Sequence, residues 1–257
     1  MKLLREIREN TIKSGKLKNY LIYAFGEIIL VVLGILIALQ INNWNEERKE
    51  RKLEQDYYCR LLEDLQQDQQ FLNKLVDDNE IRIMGSNELL HLLQQNAPSR
   101  KEVILKTRNA IAKTTFTFKP NQVAYEDLKS GGNLNVLKDI ALKAKLINYY
   151  STMEGLTDVV DVNSDAAVAM YYDTKQDFID MGWSDLPTIA AALDTTLVDL
   201  QLFRTPNYPS QELRKRLTSD AMLYLGTNVR KRALYQDMAV EIDAMREALM
   251  KKCIPVP

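Results

Sequence analysis

The apolar positions of this chain are almost continuous in one stretch and periodic in the rest. From Tyr20 to Ile41 the chain reads, after the tyrosine, LIYAFGEIILVVLGILIALQI, and its only strongly polar members are Glu27 and Gln40. A helix rises ~1.5 Å per residue and a bilayer's hydrocarbon core is ~30 Å thick, so about 20 such residues cross it. Tyr20 and Tyr23 at one end and Trp44 at the other stand where amphipathic rings prefer the headgroup region. The pattern predicts a transmembrane helix over residues 20–44. A cleaved signal peptide fits less well, because the stretch exceeds the usual ~7–15-residue apolar core and Ala38-Leu39-Gln40 is a poor small-x-small site. A buried core helix would not carry these flanking charges and rings.

Beyond Trp44 the period becomes helical. Leu53, Tyr57, Leu61, Leu65, Leu72 and Val76 recur at three-to-four spacing or its multiple, so the anchor is expected to continue into a stalk. Asn96-Ala-Pro-Ser99 breaks the pattern, and Ser99-Arg-Lys-Glu102 matches a capping box that starts the next helix. Thr114 to Phe118 alternates with period two and predicts a short extended segment. A short helix from Asn121 should stop at Gly131-Gly132, where glycine tolerates the left-handed conformation. Longer helices are expected from Lys138 to Ile179 and from Ser219 to Lys252, with a helix from Asp185 carrying Pro187 in its first turn. Arg204 to Pro209 reads as a loop and Ser210 as the cap of a short turn. Tyr235, Met238, Ile242, Met245 and Leu249 share one stripe of the last helix. Helices joined this closely pack antiparallel. The expected fold is all-α, a transmembrane helix and stalk carrying an antiparallel helical-bundle soluble domain over residues 45–257 with coiled-coil character.

Charge bears on orientation more than on partners. With 34 basic and 35 acidic residues the chain is nearly neutral, so no global field draws it to nucleic acid. Lys2, Arg5, Arg8, Lys13, Lys16 and Lys18 precede the span, and Arg48, Lys49, Arg51, Lys52 and Arg60 follow it, six against five. This bias favours a cytoplasmic basic tail, residues 1–19, and a periplasmic C-terminal domain on the inner (cytoplasmic) membrane. Within the tail, Leu3, Leu4, Ile7 and Ile12 among the cations would suit a short amphipathic helix on an anionic leaflet, or a loosely ordered tail.

The two cysteines, Cys59 and Cys253, lack metal-type spacing. The stretches Cys59–Asn96 and Asp220–Cys253 nearly match in length. If stalk and final helix run side by side, both thiols fall at one end of the bundle, and an oxidising compartment would allow a disulfide; two unpaired thiols are the alternative.

The string YAFGEIILVVLGILIALQINNWNE, Tyr23 to Glu46, together with Ala124-Tyr-Glu-Asp-Leu-Lys-Ser-Gly-Gly-Asn-Leu134, Lys138-Asp139 and Tyr149-Tyr150, resembles a family of uncharacterised membrane proteins common in Bacteroidetes. The resemblance covers the anchor and the middle of the chain. It implies an envelope protein with one anchor, and it carries over no activity and no site.

Candidate chemistry is sparse. Glu27 is an ionisable group at membrane depth, which costs ~2.5–3.5 kcal/mol at the centre of a span and calls for a partner or a proton. It serves either an ion path in an oligomer or, more simply, packing between helices. Gly26, Leu30, Gly34 and Ala38 form one stripe with a small-xxx-small pair, which suits self-association. The only histidine, His91, sits between leucines in a helical stretch. No nucleophile elbow, phosphate loop or zinc-binding pair occurs. The tyrosine pairs Tyr57-Tyr58, Tyr149-Tyr150 and Tyr171-Tyr172 either line a groove or lie half in the core.

The reading that results is a membrane-anchored, noncatalytic envelope protein without cofactor or metal. Its helical domain binds an unknown envelope partner, senses or scaffolds, and its partners are the bilayer and a second copy through the span. The alternatives are a channel or transport subunit using Glu27 and a hydrolase with an acid-only site, which would need a deep pocket with two facing carboxylates.

Overall fold

A computed structural model describes residues 17–173, 178–203 and 206–254. The expected basic tail lies outside them up to Lys16, as do Arg204 and Thr205 of the expected loop. Among the described residues six α-helices follow one another: α1 (Leu17–Leu93), α2 (Arg100–Ile111), α3 (Val123–Ser130), α4 (Ile140–Asp173), α5 (Pro187–Ala190) and α6 (Gln211–Met250). Short 3-10 turns lie at Asn133–Asn135, Trp183–Asp185 and Leu200–Phe203. Among the described residues there is no strand.

The described residues divide into two compact units, one up to Gln55 and one from Asp56 onward. In the first, α1 is long and apolar enough to cross a membrane, and none of its most apolar eighteen-residue window is buried. In the second, the long helices bury residues in alternating steps of three and four. On α1 these are Tyr58, Leu61, Leu65, Asp68, Leu72 and Leu75, and the same steps continue through Asn79, Arg82, Ser86, Leu89 and Leu93. On α6 they include Leu217, Ala221, Tyr224, Asn228 and Lys231, and then the predicted stripe from Tyr235 to Leu249, wholly buried.

The polar links show the directions of the helices. Arg214 donates to the carbonyls of Leu93, Gln95 and Asn96, Arg232 pairs with Glu80, and Cys253 is bonded to Cys59. Rising numbers on α6 therefore meet falling numbers on α1, an antiparallel arrangement. Helix α4 also runs antiparallel to α6, since Lys145 donates to the carbonyl of Ala244 while Tyr171 clusters with Tyr224.

Several local expectations are corrected. Thr114 to Phe118 is not an extended edge: residues 112–115 form turns, with Lys113 at φ 57°. The alternation misled because the aromatic pair splits, Phe118 entering the core and Phe116 staying exposed. Ser99 precedes α2, but its side chain makes no capping bond. Ser210 caps no short turn; its Oγ accepts from the Leu213 amide, 3.1 Å, at the start of the full α6. Helix α4 is described to Asp173, residues 174–177 lie outside the described residues, and residues 178–180, where the expected helix would end, form turns. The helix expected from Asp185 divides into a 3-10 turn and α5, with Pro187 at its start. Leu53 is exposed, because the buried seam shifts to Tyr58 and Leu75. Gly132, at φ 68°, follows α3 as expected.

Candidate functional site

The connector between α2 and α3, residues 112–122, is held at both ends by charged side chains from the long helices. The last carbonyls of a helix have no partner within it and carry partial negative charge. Here they meet donors from α1 and α6. Asn228 Nδ2 donates to the Ala110 carbonyl (3.2 Å), Arg82 Nη1 to the Ala112 carbonyl (3.2 Å), and Lys231 Nζ to the carbonyl oxygen and Oγ1 of Thr114 (3.1 and 2.7 Å). Arg82 also donates to Asn228 Oδ1 and Asn79 Oδ1 (3.0 and 3.1 Å), and Asn79 Nδ2 donates to the Asn228 carbonyl (2.9 Å). Arg82 and Lys231 are buried. Burial, with Arg82 close by, pushes the Lys231 ammonium down to about 7, and burial lowers Arg82 as well.

At the other end the signs reverse. The first amides of a helix carry partial positive charge and want acceptors. Gln122, immediately before α3, offers no side-chain cap. Asn121 Oδ1 accepts from the Val123 amide (3.2 Å), and two carboxylates one turn apart on α1 add to it: Asp64 Oδ2 accepts from the Ala124 amide (2.9 Å) and Asp68 Oδ1 from the Asn121 amide (2.8 Å). The Tyr149 hydroxyl donates to Asp68 Oδ2 (3.5 Å) and the Tyr150 hydroxyl to the Asn121 carbonyl (3.3 Å). Tyr150 stacks on Tyr125, ring centroids 4.1 Å apart. Burial pushes Asp68 up to about 7 against the opposing amide bond, and burial raises Asp64 and both tyrosines.

The far side of α3 closes on the same helix. Arg60 pairs with Asp127 (2.7 Å) and lies over the Tyr57 ring; the Tyr57 hydroxyl donates to Asp127 Oδ2 (3.4 Å) and accepts from Asn133 Nδ2 (3.0 Å). The glycines make this return tight. A Cβ at Gly131 would stand 2.9 Å from the Asp127 carbonyl oxygen and 2.8 Å from Asn133 Nδ2. Cys59 and Cys253 are brought together in a disulfide, Cα atoms 4.9 Å apart, and nearby in sequence Lys252 pairs with Asp139 (2.9 Å).

Chemically this centre grips backbone. Asp64 Oδ2 and both oxygens of Asp68 accept from amides and a hydroxyl. A shallow depression of about 410 Å³ lies elsewhere, lined by Asn87, Glu88, His91, Leu92, Gln95, Glu102 and Lys106, with Glu88 and Lys106 paired across it (2.6 Å). His91 is exposed there. Among the described residues no three or more His, Cys, Asp or Glu side chains are gathered as a metal ion would need.

Gly26, Glu27, Leu30, Gly34 and Ala38 are all exposed on α1, and a Cβ at Gly26 or Gly34 would meet nothing within 4 Å. Of the tyrosine pairs, Tyr57, Tyr58, Tyr149, Tyr150 and Tyr171 are buried and Tyr172 is exposed. The residues that sequence reasoning missed are Asp64, Asp68, Asn79, Arg82, Asn228 and Lys231. Their signal was present: Asp68, Asn79, Arg82, Asn228 and Lys231 interrupt apolar seams at positions where a solvated face would not place them.

Residues 27–155 match the model of a family of unknown function (DUF6090). The match takes in Asp64, Asp68, Asn79 and Arg82 of α1, the whole connector, and the stretch Ala124–Leu134, while Asn228 and Lys231 fall beyond it. No curated protein and no solved structure matches the chain.

Proposed function

The chain belongs to this family of unknown function (DUF6090), and from that premise we propose that it is a membrane-anchored protein whose helical domain binds or scaffolds rather than catalyses. The observation that carries the anchor is the exposure of residues 21–44. Phe25, Leu30, Ile37 and their neighbours stand outward with nothing over them, and no residue in the most apolar window is buried. Burying one large aliphatic or aromatic side chain is worth ~1.5–3 kcal/mol. A whole segment of them left in water would outweigh the stability of a domain, whereas lipid covers them all.

In this reading residues 1–19 lie in the cytoplasm and residues 45–257 in the periplasm, across the inner membrane. Support comes from the six-to-five excess of basic residues before the span and from the Cys59–Cys253 disulfide, since such bonds persist in oxidising compartments. The noncatalytic role is supported by the polar centre, whose buried charges are committed to backbone groups. Lipid contacts the span, and the stripe Gly26, Leu30, Gly34, Ala38 with Glu27 serves contact with a second copy.

Fractionation with alkaline carbonate, combined with thiol labelling of intact cells, tests this. The expected result is full-length chain retained in the membrane pellet, with Cys59 and Cys253 resistant to labelling until reduced. Release into the carbonate supernatant would overturn the anchor, and free thiols in the native protein would overturn export.

A further inference from the structure

Between Leu186 and Pro209, both buried, the chain makes an excursion in which no described residue is buried. Its composition is unlike that of a solvated loop. Leu197, Leu200 and Leu202 are 82, 50 and 72% exposed, and Ile189 and Tyr208 are also exposed. Single exposed apolar residues are ordinary, but a cluster held outward marks a contact surface. The segment is held by its own bonds. Asp194 Oδ1 accepts from the amide and hydroxyl of Thr196 (2.9 and 2.6 Å), and Asp199 Oδ1 accepts from the Gln201 amide (2.9 Å).

Residues 187–203 of this excursion contain Asp194 and Asp199 and no Lys, Arg or His, and Arg204 follows directly. An anionic lipid surface repels such a segment, so a protein face of opposite charge suits it better. Helix α6 carries one. From Leu213 to Gln236 its single acid is Asp220, which is buried, against six Lys and Arg. Arg214 at the end of α1, Arg216 near Asp220, Lys231 at the connector and Arg232 on Glu80 are used within the chain. Lys215, Met222, Gly226, Val229 and Arg230 recur at helical spacing and are all exposed. Nothing lies within 4 Å of where a Gly226 Cβ would be, so the middle of this face is flat and open.

We infer that residues 187–203 of one copy dock on the basic, apolar face of α6, Lys215 to Arg230, of a second copy. Leucines meet Met222 and Val229, and Asp194 and Asp199 meet Lys215 and Arg230. The segment precedes α6 by a few residues, so a two-fold axis lets each copy give its segment and receive the other's, closing the pair. The inference does not rest on the membrane anchor.

The test places a photo-crosslinking residue at Leu200 in the full-length protein in intact cells that produce it, with Val162 of α4, 68% exposed, as the control position. The expected product is an adduct of twice the chain's mass from Leu200 only, mapping by mass spectrometry to the stretch Met222 to Arg230. Lys215→Glu with Arg230→Glu lowers its yield at least about tenfold, since like charges face each other. Asp194→Lys with Asp199→Lys in that background restores it, even though those aspartates also hold local turns. No adduct, an adduct with lipid or another protein, a two-copy adduct mapping to residues 21–44 or formed equally from Val162, or a yield indifferent to the charge changes overturns the inference.

Discussion

The buried Lys231 ammonium lies 2.7 Å from Oγ1 of Thr114 and 3.1 Å from its carbonyl oxygen, and among the described residues it forms no ion pair with a carboxylate. The end of α2 and the turn after it supply what an acid would. Two of its three N–H groups have acceptors on Thr114, which lessens but does not remove the cost of desolvation.

That cost sets the alkaline behaviour of the domain. Lys231 is depressed to about 7 in the folded chain from an ordinary 10.5, by burial and then by Arg82, with Asp161 and Asp165 opposing. Below about pH 7 the lysine is charged in both states and the penalty is full; between about 7 and 10.5 the unfolded chain binds more protons, so stability rises with pH. Lys231→Met is expected to remove that rise, a change on the order of a few kcal/mol across the window. Urea midpoints from pH 6 to 10 for both proteins check it, and an unchanged slope refutes it.

Asp68 behaves in the opposite sense. Its carboxyl is raised from 3.8 to about 7, so the folded chain binds the extra proton and stability falls as pH climbs from about 4 to 7. Asp68→Asn keeps an oxygen for the Asn121 amide and removes the charge. It is expected to flatten that fall and to exceed the wild type in stability at pH 8. Asp68→Ala leaves the amide without its acceptor and costs ~1–3 kcal/mol at pH 5. Denaturation of the three proteins at pH 5 and pH 8 separates these outcomes.

Gly131→Ala drives a methyl against the Asp127 carbonyl oxygen, 2.9 Å away, and the side chain of Asn133. Gly132→Ala has open space but must hold φ at 68°. Both are expected to destabilise by about 1 kcal/mol or more. Their common signature is faster amide exchange at Ala124 and Asn121 while α6 stays protected; uniform loss of protection would argue against a local role.

The Cys59–Cys253 bond spans a sequence separation of 194 residues. Chain-entropy arithmetic for so long a loop gives at most about 5 kcal/mol. Cys59→Ser, Cys253→Ser and the double variant are expected to lose the same amount, because each removes one cross-link. A double variant much less stable than either single one would contradict that.

The long apolar helix, the other long helices and the core stripe of α6 were legible in the residues because each depends on local periodicity: a continuous apolar run, three-and-four spacing, a glycine pair after α3. Tyr235, Met238, Ile242, Met245 and Leu249 declare their face without help from the rest of the chain. The cap of α3 does not. Gln122 offers nothing and Asn121 Oδ1 reaches only the Val123 amide, so the acceptor for the Ala124 amide arrives from Asp64, sixty residues earlier, and that for the Asn121 amide from Asp68. Likewise Thr114 to Phe118 alternates like a strand but is placed by Lys231, over a hundred residues away in sequence. Local pattern determines which elements exist and which side of each is apolar. Only the packed structure decides which buried charge faces which helix end, because that pairing depends on distances between segments that the order of residues does not contain.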